Sequence, residues 1–269
     1  MKKYFVRSSL VARCVMLLAS GWAHPQAGLA AETAPLATSP IYDYANPPLV
    51  TGTLYAIGSD QKKVLFTFRR TATRSGSVVQ AERQFLTTNG TLAAVEKIRY
   101  ESNQFVSYQM QDFQARVSGA IQIESDPKDP DSPQIFISHA KGLSATKGKA
   151  RILEPDTLMD DTLYPFLMER WDELMQGKTV KFHFISLEWE RTFDFSLAKS
   201  GESTRNGRTV VEFTMKPTNF LVAAQVKPII FTLEKNGARR MVSYIGRTTP
   251  RVKNGKSWKL LDAETVFNN

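Results

Sequence analysis

Few residues in this chain are spaced for chemistry. His183 lies in KTVKFHFISLE between Phe182 and Phe184. An imidazole there can act as a general base or as a polar anchor in a pocket, and a half-exposed strand histidine has the same pattern. Glu188 and Glu190 flank Trp189. Residues at i and i+2 on a strand share a face, so the two carboxylates could work as acid and base. The same three residues also fit a tight connection between strands, with both glutamates solvated. Asp126, Asp129 and Asp131 cluster oxygen donors in DPKDPDSP. Calcium takes such donors, but the spacing lacks the glycine and the terminal glutamate of an EF-hand loop. Arg69, Arg70, Arg74, Arg239, Arg240, Arg247 and Arg251 lie near aromatics. Such a set suits an anionic headgroup, or it guards sheet edges. No G-x-S-x-G, P-loop, Rossmann glycine fingerprint or H-E-x-x-H occurs. No catalytic, metal or cofactor residue is assigned on these grounds.

The first thirty residues have the three parts of a secretory signal. Lys2, Lys3, Arg7 and Arg13 form a basic start, Cys14 to Ala23 is apolar, and Gly28-Leu29-Ala30-Ala31 offers small residues for cleavage after Ala30. Ten apolar residues are too few for a bilayer core that takes about twenty. Residues 1–30 are therefore read as a signal peptide, and the mature protein as periplasmic, with no transmembrane segment after cleavage. Arg13 precedes Cys14, which is not the setting of a lipidated cysteine. Cleavage removes the only cysteine, so thiol catalysis and intrachain disulfides are excluded. The full chain carries +9, and loss of four basic residues leaves 31 basic against 26 acidic side chains, or +5. Export argues against a nucleic-acid partner, and mild basicity is compatible with anionic lipid.

The mature chain begins with ETAPLATSPIYDYANPP, a Pro- and Ala-rich stretch read as a poorly ordered leader over residues 31–48. A single β-rich domain is expected over 49–269. Gly58-Ser59-Asp60, Arg74-Ser75-Gly76, Asn89-Gly90 and Ser102-Asn103 punctuate six strands at roughly ten-residue spacing. DPKDPDSP reads as a projecting loop, because its three prolines cannot pair in a sheet interior. Asp156, Thr157 and Thr162 are candidate helix caps. Phe166, Leu167, Trp171, Leu174 and Met175 then recur at helical spacing up to Gly177. More strands follow, with an Asn206-Gly207 turn, a short helix candidate at Thr218 to Val226, and a second hairpin across Asn236-Gly237. The fold class is mainly β, a curved antiparallel sheet or incomplete barrel of about 11–12 strands around one or two helices.

Period two places Val64, Phe66 and Phe68 on one face, Val180, Phe182 and Phe184 on another, and Phe193, Phe195 and Leu197 on a third. A curved sheet whose concave face is part core and part cavity accounts for so much aromatic surface, and so does a filled sandwich or barrel. On the cavity reading, Phe66, Phe68, Trp171, Phe182, Phe184, Phe193 and Phe195 are the candidate ligand-binding residues, and Trp171 packs on the concave sheet.

The run LYPFLMERWDELMQGKTVKFHFISLEWERTFDF, then GESTRNGRTVVEFTMKP, then PIIFTLEKNGARRMVSYIGR, resembles an uncharacterised bacterial periplasmic family, over roughly Leu163 to Arg247. That family is similar in design to the half-barrel of periplasmic lipoprotein carriers and receptors, the LolA/LolB-like fold. The resemblance implies an incomplete barrel wrapped on helices with an apolar cavity for acyl chains. It transfers no functional residue. Three functions stay open: a carrier of an apolar or acyl ligand, a cell-envelope assembly protein holding a protein partner, and an enzyme using His183 and the Glu188/Glu190 pair.

Overall fold

The computed structural model describes residues 42–126, 129–142 and 148–268. The expected signal peptide and the leader up to residue 41 lie outside them. The elements in chain order are β1 (Leu49–Ala56), β2 (Val64–Ser75), β3 (Val78–Thr87), β4 (Leu92–Glu101), β5 (Gln104–Asp112), β6 (Val117–Asp126), β7 (Asp129–Lys141) and β8 (Lys149–Ile152). Then come β9 (Thr157–Leu158), α1 (Asp160–Glu169), α2 (Trp171–Met175), β10 (Val180–Ser186), β11 (Arg191–Arg205), β12 (Arg208–Pro217), α3 (Phe220–Ala223), β13 (Ile229–Glu234), β14 (Met241–Asn254) and β15 (Ser257–Asn268). All fifteen strands form one sheet in the order β8-β7-β6-β5-β4-β3-β2-β1-β15-β14-β13-β12-β11-β10-β9. Every pairing is antiparallel except the short one between β9 and β10.

The first and last strands meet at the middle of the sheet, and its two edges come from the middle of the chain. Only residues 153–156 link edge strand β8 to edge strand β9. Five Cα steps span at most about 18 Å, so the sheet must curl until its edges nearly meet. Polar contacts cross the curl. The Arg251 N–H donates to Asp112 Oδ2 at 2.9 Å, the His139 N–H to Glu190 Oε1 at 2.9 Å, and Arg151 Nε to the Glu190 carbonyl at 3.1 Å.

Turn chemistry fixes the register. Asn206 (φ 49°) and Gly207 (φ 75°) are both left-handed, as a two-residue type I′ hairpin needs. The fold class expected from sequence holds, but the strands number fifteen among the described residues, because β8 and β9 are too short to show a period. DPKDPDSP is not a projecting loop. Pairing of β6 with β7 continues out to Asp126 and Asp129, and Pro130 and Pro133 lie in β7 beyond its ladder with β8 (Gln134–Ile137). Pro133 meets that side only through its carbonyl, which accepts from the Leu153 N–H at 2.9 Å, so its missing N–H breaks no pairing.

Asp156 and Thr157 do not cap a helix. Asp156 occupies a turn (φ 53°) and Thr157 is in β9. Helix α1 instead starts at Asp160, where the Met159 N–H donates to Thr162 Oγ1 at 3.0 Å and the Thr162 hydroxyl to the Met159 carbonyl at 3.0 Å. Asp160 and Asp161 fill its first turn, where the helix dipole favours anions. Starting there puts Pro165 inside the helix. Residues 42–48 are not loose: Tyr44 is buried and stacks on Tyr100 at 3.9 Å between ring centroids. Two tyrosines give that short stretch enough apolar surface to dock.

Three apolar clusters form the interior. One joins β3–β7 to Tyr44, Leu153, Met159 and Ile185. A second packs α1 and α2 on β10–β13. The third lies at the middle of the sheet, around Leu54, Phe66, Phe68, Phe85 and Leu261.

Candidate functional site

The inner face of β2–β4 carries an unusual row. On β2, Phe66, Phe68, Arg70 and Ala72 alternate inward with exposed neighbours. The cross-strand register aligns Arg70 with Arg83 and Arg83 with Glu96. Three ionised side chains thus stand abreast on three adjacent strands, with Phe68 and Phe85 abreast in the next row. Two arginines directly opposite would repel. Asp161, reaching down from α1, resolves this. Its carboxylate accepts from Arg70 Nε (3.1 Å) and Nη2 (2.9 Å), from Arg83 Nη2 (2.7 Å) and from the Tyr100 hydroxyl (2.7 Å). Arg83 also donates to Glu96 Oε2 at 2.8 Å, and the Thr249 hydroxyl donates to Glu96 Oε1. Thr249 reaches Glu96 because β14 shifts register against β15 between Thr248 and Arg251, where Pro250 cannot donate to the ladder.

This network is buried: the Asp161 side chain is 5% exposed and that of Glu96 1%. Burial alone would raise the Asp161 carboxyl, but the Arg70 and Arg83 guanidiniums beside it hold it well below the usual carboxylate range. Its neighbour Asp160 behaves oppositely. Burial first, and the Glu96 carboxylate second, push it up to about 7. Asp160 stands among many protein atoms, yet its side chain is exposed, open to a cavity.

That cavity has a volume of about 730 Å³. Its charged side is Arg70, Arg83, Glu96, Asp160 and Asp161. Its apolar side includes Val50, Leu54, Phe68, Phe85, Phe231 and Phe267. Gly52 is required beneath it. A Cβ there would stand 2.3 Å from the Phe68 ring and 2.6 Å from the Val266 carbonyl oxygen, so only glycine lets Phe68 lie across β1. Phe68 meets Phe267 edge-to-face at 5.5 Å.

Comparison with known proteins adds little to this geometry. No family model matches the chain, and no curated protein matches it. Among solved structures it is similar to the β-barrel-like protein of a domain of unknown function, DUF1849, from Brucella abortus. The identity is 9%, the match covers 81% of this chain and 92% of that one, and the TM-score is 0.35. A likeness at that level bears on neither family nor activity.

Of the seven aromatic residues singled out from sequence, Phe68 lines the cavity. Phe66 is buried in the same central cluster. Trp171 is buried under α2, edge-on to Phe213 at 5.4 Å and capped by the Arg239 guanidinium at 4.5 Å. Phe182 and Phe195 are buried and stacked at 6.2 Å, with Phe184 edge-on to Phe195. Phe193 packs on Trp189 at 4.7 Å. These last five belong to or flank the apolar cluster beneath the helices.

The acid–base candidates are employed elsewhere. His183 Nδ1 contacts Asp194 Oδ1 at 2.8 Å and Glu154 Oε2 at 3.4 Å. Glu188 and Glu190 do sit at a tight connection, but they reach Arg251 and the His139 N–H across the curl rather than standing free in solvent. Asp126 and Asp129 face each other at the end of β6–β7. Of the arginines, Arg70, Arg240 and Arg247 line the cavity. Arg83, Glu96, Asp160 and Asp161 are the residues the sequence reading missed. One signal was legible: Arg70, Arg83 and Glu96 fall on the same parity as the buried apolar residues of their strands.

Proposed function

We propose that this protein binds an amphipathic, acyl-type small molecule in the cavity inside its curled sheet, and that it does so as an exported periplasmic carrier. The observation that carries the reading is a cavity of about 730 Å³ with an apolar wall beside a charged one. That volume falls in the range of ligand pockets, roughly 300–1,000 Å³. Phe68, Phe85, Phe231 and Phe267 receive the chain, and the charged row receives the head. Export is supported by the basic, apolar and small-residue pattern of residues 1–30. No helix among the described residues is long and apolar enough to cross a membrane.

The test is native mass spectrometry of protein purified from its own envelope fraction, followed by titration of the stripped protein with laurate and dodecylamine. An adduct of lipid mass, or saturable binding of either probe, supports the reading. Absence of both removes it.

A second reading, an envelope interaction protein, rests on α3. Phe220 is 77% exposed and Leu221 60%, side by side on a four-residue helix. Crosslinking in intact cells that captures the same protein with the native chain and not with a Phe220→Ser, Leu221→Ser variant supports it; capture unchanged by the substitutions overturns it.

A further inference from the structure

We propose that Asp160 is the polar anchor of the cavity, and that the ligand it takes carries a protonated amine on an apolar chain. This rests on the cavity reading above and deepens it.

The first ground is the contrast between two successive carboxylates. Asp161 accepts four hydrogen bonds, from two arginines and a tyrosine. Asp160 accepts none from the described residues, although it lines the same space. Its carboxylate is exposed to that space, so a donor on a bound ligand can reach it where no protein donor does.

The second ground is charge. Arg70 and Arg83 are matched by Asp161 and Glu96. Arg247 is matched by Asp262 at 2.7 Å. Asp160 is the anion left over on the charged side. Arg240 also lines the cavity and is exposed, as Asp160 is, but it comes from the β13–β14 connection and not from the charged row of β2–β4 and α1. A cation at Asp160 completes the set, whereas an anionic head would meet an uncompensated carboxylate.

The third ground is what faces Asp160 from each side. Arg83 and Glu96 come from β3 and β4, Tyr108 from β5, Glu188 from the β10–β11 turn, Tyr244 from β14, and Asp161 from its own helix. Glu96 and Asp161 are held by Arg83 and Arg70, and Glu188 reaches Arg251, so the charge a ligand meets here is that of Asp160 itself. An ammonium lowers the Asp160 pKa again, so binding releases a proton. Between pH 6 and pH 8 the ionised fraction of a group near 7 rises about tenfold, and affinity for the amine rises with it.

The experiment is calorimetric titration of the full chain with dodecylamine and laurate, at pH 6 and pH 8, for the native protein and Asp160→Asn. Dodecylamine should bind the native protein at least about tenfold more tightly than laurate at pH 8, with that preference shrinking several-fold at pH 6. Asp160→Asn should bind both chains with little preference and no such pH dependence, and a thermal melt checks that it is folded. Equal or tighter binding of laurate to the native protein, or a preference for the amine that survives in Asp160→Asn, overturns the anchor while leaving the cavity reading intact. Laurate preference would point to Arg240 instead. Binding of neither probe overturns the cavity reading, and the anchor falls with it.

Discussion

Helix α1 borders two regions of opposite character. Along its length Phe166 and Leu167 press into β10–β13, where they pack with Phe182, Phe195, Phe213 and Leu233. At its first turn Asp160 and Asp161 meet Arg70, Arg83 and Glu96 on β2–β4, beside open volume. The aromatic region is where the sequence is richest in apolar side chains, and it is filled. The charged region is where ordinary strands carry ions at core positions, and there the space stays open. Aromatic density marks packing here, and misplaced charge marks the site. Phenylalanine rings interlock at crystal-like density, whereas an ion network with fixed hydrogen-bond geometry cannot collapse to fill a gap.

The sharpest way to break the contrast is Asp161→Asn. It removes one carboxylate that holds two arginines standing opposite each other, and it leaves their charges buried. Loss of one partner from a buried ion pair costs about 3–5 kcal/mol, and denaturant unfolding should show a fall of that order. A loss below about 1 kcal/mol, the scale of surface ion pairs, would mean that the row is effectively solvated.

The next test sets Trp171→Ala against Phe68→Ala. Trp171 is buried on Phe213 with Arg239 over its outer face, so truncation should cost about 3 kcal/mol and leave laurate and dodecylamine binding unchanged. Phe68 already borders open space, so its removal should cost nearer 2 kcal/mol and weaken binding of both chains. Melting curves and titrations on the same two variants read the contrast directly. If Trp171→Ala abolishes binding and Phe68→Ala does not, the cavity is not where the ligand sits.

Much of this was legible in the residues themselves. Alternation along β2, the left-handed Asn206-Gly207 turn and the helical stripe of Phe166, Leu167, Trp171 and Leu174 each follow from local rules, and each appears in the fold. The meeting of β1 with β15 and the curl that brings Glu190 to β7 depend on pairing over distances that no local period encodes. The site depends on them further. That Arg70, Arg83 and Glu96 point inward follows from parity, but that they stand abreast follows from register, and that Asp161 reaches them follows from where α1 is laid. Nothing in the local sequence distinguishes Asp160 from Asp161; their opposite pKa shifts arise from which of them meets the arginines.

Those two adjacent aspartates should therefore separate in a pH titration of stability, which is the smallest effect expected and the most specific. Asp161 is depressed in the folded state, so its stabilisation is present above the unfolded carboxyl range, near 4, and is lost as the pH falls below it. Asp160 is raised to about 7, so the folded state holds its proton more tightly than the unfolded chain does. The stability linked to that proton is complete below about 4 and disappears as the pH climbs to about 7. Solvent reaches the carboxylate through the cavity, which screens the effect to about 1 kcal/mol, or some 2–4 °C in Tm for a domain of this size. Asp160→Asn cannot ionise and escapes the loss. Its melting temperature should exceed that of the native protein at pH 8 and match it at pH 4, in the absence of ligand. Saturating dodecylamine should shrink the gap at pH 8, because the ammonium supplies to the native carboxylate what the substitution makes unnecessary. Equal melting temperatures at pH 8 without ligand would show that Asp160 is solvated like a surface carboxylate, and the two halves of α1's first turn would then be electrostatically alike apart from the arginines that Asp161 holds.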